Sequence, residues 1–122
     1  MILVDTSVWI THFREGISHL EELLMDASVA IHPFIIGELA CGNLKNRKEI
    51  LSLLSELPKT QSVENHDVLS FIEKNKLMGR GIGLIDNHLL SSSLLSNTPL
   101  WTFDKKLEHI SKQLEINYSN FC

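Results

Sequence analysis

The sequence holds almost nothing that would fasten a fold covalently. Its two cysteines, Cys41 and Cys122, make neither a disulfide framework nor a metal-type spacing. Cys41 falls in an apolar stretch and is expected inside as a small core residue. Cys122, at the end of the sequence, is expected as a free thiol. Long apolar runs are also missing: none approaches the roughly 18 residues of a membrane span. The N-terminus carries no basic n-region and no small-residue cleavage site, so it does not read as a signal peptide. The expected compartment is the cytoplasm. Basic excess is missing too. Eleven Lys and Arg against fifteen Asp and Glu give a net charge of −4, with a pI near 5.8. That excludes a protein that holds nucleic acid by overall charge. A nucleic-acid role then needs a local basic patch, or chemistry in which acids are wanted.

Familiar cofactor motifs are absent as well. Gly81-Ile82-Gly83 is not followed by the Gly-Lys-Ser/Thr of a phosphate-binding loop. It is no dinucleotide fingerprint either, because Asp86 stands where the third glycine belongs. The glycines read as a tight entry to a helix. Six histidines make no His-x3-His pair, which argues against zinc.

What is present suits one soluble domain spanning residues 1–122, of which 43% are hydrophobic. Ile2-Leu3-Val4 is apolar without alternation, as in a strand buried on both faces. Asp5 ends it. A short helix over Thr6–Phe13 follows, with Val8, Trp9, Ile10 and Phe13 inward and Gly16 as its break. Ser18 and Glu21 have the spacing of a capping box for a second helix. Residues 28–31 predict a strand, stopped by His32-Pro33. Phe34 to Gly42 predicts an apolar helix carrying one acid, Glu38, with Gly42 as its cap. A basic stretch, residues 43–48, leads into a helix ending before Pro58. Residues 60–63 read as an extended connector or short strand, and a helix opens at Asn65 or His66. The helix over 84–96 has apolar residues pointing several ways, so it is expected to be packed on more than one side. Leu100–Phe103 predicts a strand, ended by Asp104 as the first is ended by Asp5. Lys105–Leu114 is the last helix, with an edge strand at 116–118. Alternating short strands and helices imply a three-layer α/β/α sandwich around a short, mostly parallel sheet.

Four acids stand out by context. Asp5 and Asp104 each end an apolar strand, where open α/β sheets bind ligands. Glu38 interrupts an apolar helix. Asp86 lies in the first turn of the most apolar helix. Each also has a plain structural role open to it. Asp5 and Asp104 suit helix caps, Asp86 suits the helix dipole, and Glu38 suits a rim. If the strand ends meet, the carboxylates converge and their repulsion asks for a cation. Oxygen-only donors suit Mg2+ or Mn2+, and such an ion activates water and stabilises phosphoryl charge. Lys45, Arg47, Lys48, Arg80, Lys105 and Lys106 either flank an RNA path or form a solvated surface. His88 is either a partner to a metal ligand or a packed histidine.

Together, Met1-Ile-Leu-Val-Asp5-Thr-Ser-Val-Trp, Ile36-Gly-Glu38-Leu, Gly81-Ile-Gly83-Leu-Ile-Asp86-Asn-His-Leu-Leu and Leu100-Trp-Thr-Phe-Asp104-Lys-Lys-Leu resemble the PIN-domain proteins of the VapC toxin branch, over essentially the whole chain. The resemblance implies a Mg2+- or Mn2+-dependent endoribonuclease, the toxin of a toxin–antitoxin pair, with a cognate antitoxin that blocks the site. It also implies a homodimer, and the apolar helices around 34–41 and 50–57 offer surface for one. The family's acidic positions match Asp5, Glu38, Asp86 and Asp104. In this reading Asp5 and Asp86 are the main metal ligands, Asp104 helps directly or through water, and Glu38 orients or deprotonates the attacking water. Asn87 stands where relatives often carry a small residue, which is expected to alter the pocket rim. A catalytically silent PIN-like module that binds RNA or protein is the alternative. An aspartyl-phosphate phosphatase would want a second Asp two residues after the first, where Ser7 stands.

Overall fold

The computed structural model of the chain describes residues 1–119; Cys122 lies outside them. In chain order the elements are β1 (Ile2–Val4), α1 (Thr6–Glu15), α2 (Ser18–Met25), β2 (Val29–Ala30), α3 (Pro33–Ala40), α4 (Arg47–Ser55), α5 (Asn65–Lys74), α6 (Leu84–Ser96), β3 (Leu100–Trp101) and α7 (Lys105–Gln113). The sheet is parallel with order β2-β1-β3. Parallel bridges extend it on both sides, Ile31 with Lys59 and Leu100 with Asn117.

This strand order decides where the helices go. Parallel crossover connections are right-handed in nearly all proteins. Stepping outward from β1 to β2 and on to Lys59 places α1 to α4 on one face. The return to β3 and on to Asn117 places α5 to α7 on the other. The packing agrees, since α1 and α4 both touch α3, and α5 touches α6. The result is the expected α/β/α sandwich. β1 and β3 are then neighbours whose following helices leave in opposite directions. The crevice outside their carboxyl ends is the standard ligand position in such sheets.

The centre of the core is the strand predicted from the first residues. Leu3 and Val4 are fully buried, as are Val8, Leu20, Ile31, Ile35, Leu89, Leu90 and Leu100. Each such side chain contributes roughly 1.5–3 kcal/mol relative to leaving it in water. Buried residues run without interruption from Asn87 to Ser93 in α6, so that helix is enclosed on several sides, as its composition predicts.

Several expectations fail for identifiable reasons. Ser18 does not cap α2: the cap position is Ile17, whose N–H donates to Nδ1 of His12 at 3.0 Å. A side chain from the preceding helix has taken the role assigned to the capping box. Cys41 is exposed rather than in the core. It is itself the C-cap of α3, one residue earlier than Gly42, and points away from the core-facing residues Ile35 and Leu39. Ile10 is 46% exposed while Val8 and Trp9 take the inner side of α1. Of the two readings of residues 60–63 the connector holds, with a single bridge at Lys59 just before it. The third strand stops at Trp101, two residues short of Phe103, because the next backbone N–H groups turn to side chains. Gly16 does end α1, with φ of 78°, in the left-handed region that glycine adopts without strain.

Candidate active site

Asp5 leaves the carboxyl end of β1 and Asp104 follows β3. The Asp5 N–H donates to the Trp101 carbonyl at 2.9 Å, locking the two strand ends together. The Asp5 backbone also begins α1, since its carbonyl accepts from Val8 and Trp9. Its side chain makes no cap bond. Instead Oδ2 accepts from the Ser7 hydroxyl at 2.8 Å and from the Thr102 hydroxyl at 2.7 Å. Among the described residues nothing donates to Oδ1. A carboxylate 6% exposed is thus steadied through one oxygen and left with the other for a ligand.

The same hydroxyls bind the β3 side of the crevice. Ser7 Oγ accepts from the Phe103 N–H and Thr102 Oγ1 from the Asp104 N–H, both at 3.0 Å. Asp104 is exposed, and its Oδ1 caps α7 by accepting from the Leu107 N–H at 3.0 Å. The cap reading of Asp104 is therefore correct in geometry, and the cap reading of Asp5 is not. Glu38, half-buried on α3, accepts from the Thr6 hydroxyl at 2.6 Å, which ties it to the residue next to Asp5. Asp86 lies in the first turn of α6, where its Oδ2 accepts from the Gly83 N–H at 3.2 Å. Its carboxyl is held above the ordinary carboxylate range, first by burial and then by the charges of Asp5, Asp104 and Glu38, with the Gly83 bond opposing. The charges of Asp5, Asp104 and Glu38 thus reach Asp86 from other parts of the chain.

The four acids do not form a closed cage. Among the described residues no three His, Cys, Asp or Glu side chains are grouped as a ready metal-binding set. A donor set of carboxylates without Cys or His fits a hard cation. Mg2+ keeps several of its waters and takes only one or two carboxylates directly, so it does not require a full cage.

A PIN domain model matches residues 2–113. The chain belongs to the PIN domain family. It is also 45% identical, over 109 residues covering 88% of each chain, to proteins named Ribonuclease VapC32 from Mycobacterium tuberculosis strains CDC 1551 / Oshkosh and ATCC 25618 / H37Rv.

The PIN fold explains residues whose roles the sequence did not disclose. Thr6, Ser7 and Thr102 carry the hydroxyls that hold the acids. The signal was there in two hydroxyls straight after Asp5 and one polar residue inside an apolar strand. Asn87 is buried, not at a rim, and its amide donates to the Gly83 carbonyl at 2.9 Å, closing the first turn of α6. His88 is also buried, 3.1 Å from Asn65 Oδ1 and packed edge-on to Phe34; burial pushes its pKa down. It is a packed histidine. Of the expected basic path, Arg47 donates twice to the Ala40 carbonyl and so caps α3. Arg80 bonds Gln113. The Lys106 chain lies over Gly81, 2.8 Å from where a Cβ would stand, and Gly81 has φ of 82°. The lysine chain can swing aside, so it is the backbone that calls for glycine there.

Proposed function

We propose that this PIN domain is a divalent-metal-dependent endoribonuclease, the toxin of a type II toxin–antitoxin pair, with RNA as substrate and a cognate antitoxin as partner. The observation that carries the reading is the hydroxyl-held pair of carboxylates at the joined ends of β1 and β3, Asp5 on Ser7 and Thr102 and Glu38 on Thr6, with Asp86 under their charge. The 45% identity to a named ribonuclease supports the substrate class. In this reading Asp5, Asp86 and Asp104 hold the ion, Mg2+ with Mn2+ as the other candidate. When bound, such an ion lowers the pKa of water and stabilises charge on the phosphoryl oxygens.

The chain's own residues do the rest. Ser7 and Thr102 fix the Asp5 carboxylate through Oδ2 and keep Oδ1 pointed away from their bonds. Thr6 fixes Glu38 through Oε1, which orients that carboxylate to receive a proton from the attacking water. Asp104 caps α7 through Oδ1, and in this reading its other oxygen is the one that would hold the ion. We take the nuclease domain to span residues 1–122, the working form to be a homodimer and the compartment to be the cytoplasm. No helix among the described residues is long and apolar enough to cross a membrane.

The test is cleavage of a labelled single-stranded RNA by purified protein. EDTA should stop it, and Mg2+ or Mn2+ should restore it. One observation favours the alternative of a silent binding module, namely the absence of a ready metal cage among the described residues. RNA left intact at all metal concentrations, with no metal-induced rise in melting temperature, would decide for that module. Light scattering that shows a monomer at high micromolar concentration would remove the homodimer.

A further inference from the structure

Beside the acids, past the end of β3, lies a cleft of about 370 Å3 whose lining includes Trp101, Phe103, Lys105, Glu108, Lys112 and Tyr118. It is built of aromatic faces and ammonium groups in a chain that is acidic overall. Trp101 and Phe103 meet at right angles, ring centroids 6.0 Å apart, and Trp101 also packs on Tyr118 at 5.6 Å. Phe103 is 49% exposed. Single exposed aromatics are ordinary on protein surfaces. This one is held in place at the crevice. Its backbone N–H donates to Ser7 Oγ, which in turn donates to Asp5, and its Cα is about 3.8 Å from that of Asp104.

We propose that this cleft is a stacking subsite for an unpaired RNA base adjoining the phosphate that is cut, with Phe103 as the platform and Lys105 on the neighbouring phosphate. The proposal rests on the ribonuclease reading and adds a substrate contact to it. Single-stranded RNA is recognised by stacking splayed bases on aromatic rings beside cations that follow the backbone. Both parts are here, one residue from an acid of the crevice. Trp101 packs against the Phe103 ring, so little ring freedom is lost when a base arrives. Glu108 lies 4.0 Å from the Lys112 ammonium, which leaves Lys105 as the cation that the cleft offers to a phosphate.

The experiment measures binding of a fluorescent single-stranded RNA octamer by anisotropy in Mg2+, on an Asp86→Asn background that holds the RNA uncut. Phe103→Leu keeps bulk and apolarity but removes the ring, and should weaken binding about tenfold, within the range of one lost base–aromatic stack. Phe103→Tyr should bind within about twofold of the parent, as every aromatic platform stacks alike. In octamers made abasic at each position in turn, one position should abolish the difference between Phe and Leu. Lys105→Gln should reduce the salt slope by about 0.7, the value of one phosphate contact on a single strand. A Leu variant that binds as the parent does overturns the subsite, as does a penalty that persists in every abasic octamer. A Leu variant that keeps RNA but loses the antitoxin assigns the cleft to a protein partner instead. Cleavage by the unmodified chain together with Phe103-independent binding sinks the subsite alone. Ring-dependent binding without any cleavage by the unmodified chain sinks the nuclease reading alone.

Discussion

The β1–α1 and β3–α7 junctions are built alike in sequence and differently in space. Each is an apolar strand, an aspartate and a helix. Both aspartates occupy the N-cap position with extended backbone, at φ −72° for Asp5 and −74° for Asp104. Only Asp104 uses its carboxylate as a cap. Asp5 gives its helix the backbone carbonyl alone and keeps its carboxylate for two hydroxyls and the crevice. A cap position thus fixes where an aspartate stands without fixing what its side chain does. The deciding feature is the hydroxyl partners, Ser7 and Thr102, which outcompete the helix N–H groups for Asp5.

The largest break in the comparison should come from asparagine at the two positions. Asn caps about as well as Asp, so Asp104→Asn should cost little stability, and at Asp5 the Asn amide oxygen can still accept from the Ser7 and Thr102 hydroxyls. Activity should separate them. Loss of a partner that merely supports a metal ligand costs 10–100-fold, and if Asp5 is a ligand as proposed, its loss should cost about a thousandfold or more in RNA cleavage. At Asp104, whose carboxylate is shared with a cap, about tenfold is expected. Millimolar Mg2+ should raise the melting temperature of the parent, because an ion that binds only the folded state stabilises it, and should hardly move Asp5→Asn. A mutant at Asp5 that still cuts, or shows the parent's metal shift, would show that Asp5 does not hold the ion.

Thr102→Val removes the hydroxyl that links the two junctions. It takes one donor from Asp5 and leaves the Asp104 N–H without its acceptor. Cleavage should fall by about 10–100-fold, as for other partners of metal ligands. Ser7→Ala should do less to Asp104, since its other bond goes to Phe103. Equal losses in all metal responses from the two changes would show that the hydroxyls act as general packing rather than by holding particular atoms.

The strands, helix order and layers follow from local signals that survive tertiary packing. Ile2-Leu3-Val4 is apolar on both faces, Gly16 and Pro58 follow the ends of helices, and Pro33 opens one. What escaped the sequence depended on partners far along it. Ser18 and Glu21 satisfy a capping pattern, yet His12 reaches Ile17 first. Thr102 reads as part of a strand until the hydroxyl of Ser7, 95 residues away in sequence, is beside it. The four acids stand out in the sequence because each interrupts an apolar pattern. The division of labour between Asp5 and Asp104 was not, because both satisfy the same local rule.

The β2–α3 junction sharpens the comparison with a third cap chemistry. His32 stands at the N-cap of α3 and its Nδ1 accepts from the Phe34 N–H at 3.0 Å. That bond requires an unprotonated Nδ1. Burial, and secondly the charge of His88, lower the His32 pKa to about 4. The sign follows directly. Above pH 6.5 the imidazole is neutral in both states and the cap is intact. Between 6.5 and 4 the unfolded chain binds a proton that the folded chain refuses, so stability falls as pH falls. By pH 5 this group alone should remove about 2 kcal/mol relative to pH 8, at 1.36 kcal/mol per pKa unit. Urea midpoints at pH 8, 6 and 5 would measure it. His32→Asn keeps a cap without the titration and should flatten the profile. A profile unchanged by that substitution would place the acid sensitivity elsewhere, for instance at His88.

The smallest effect isolates the cap of Asp104 from its part in the crevice. Asp104→Asn and Asp104→Ala remove the same negative charge, and only Ala removes the bond to the Leu107 N–H. The Ala variant should therefore be less stable than the Asn variant by about 1 kcal/mol, the usual value of an N-cap side chain. Their cleavage rates should be lowered to the same degree if Asp104 holds the ion as proposed, because the ligand is missing from both. Chemical denaturation and RNA cleavage on the pair make the separation. If Ala and Asn are equally stable, the α7 cap bond is not worth making and the Asp104 carboxylate is as free for the crevice as that of Asp5. If the Ala variant is also much slower than Asn, the start of α7 itself positions the β3 side of the site, and the two junctions differ in rigidity as well as in the use of their carboxylates.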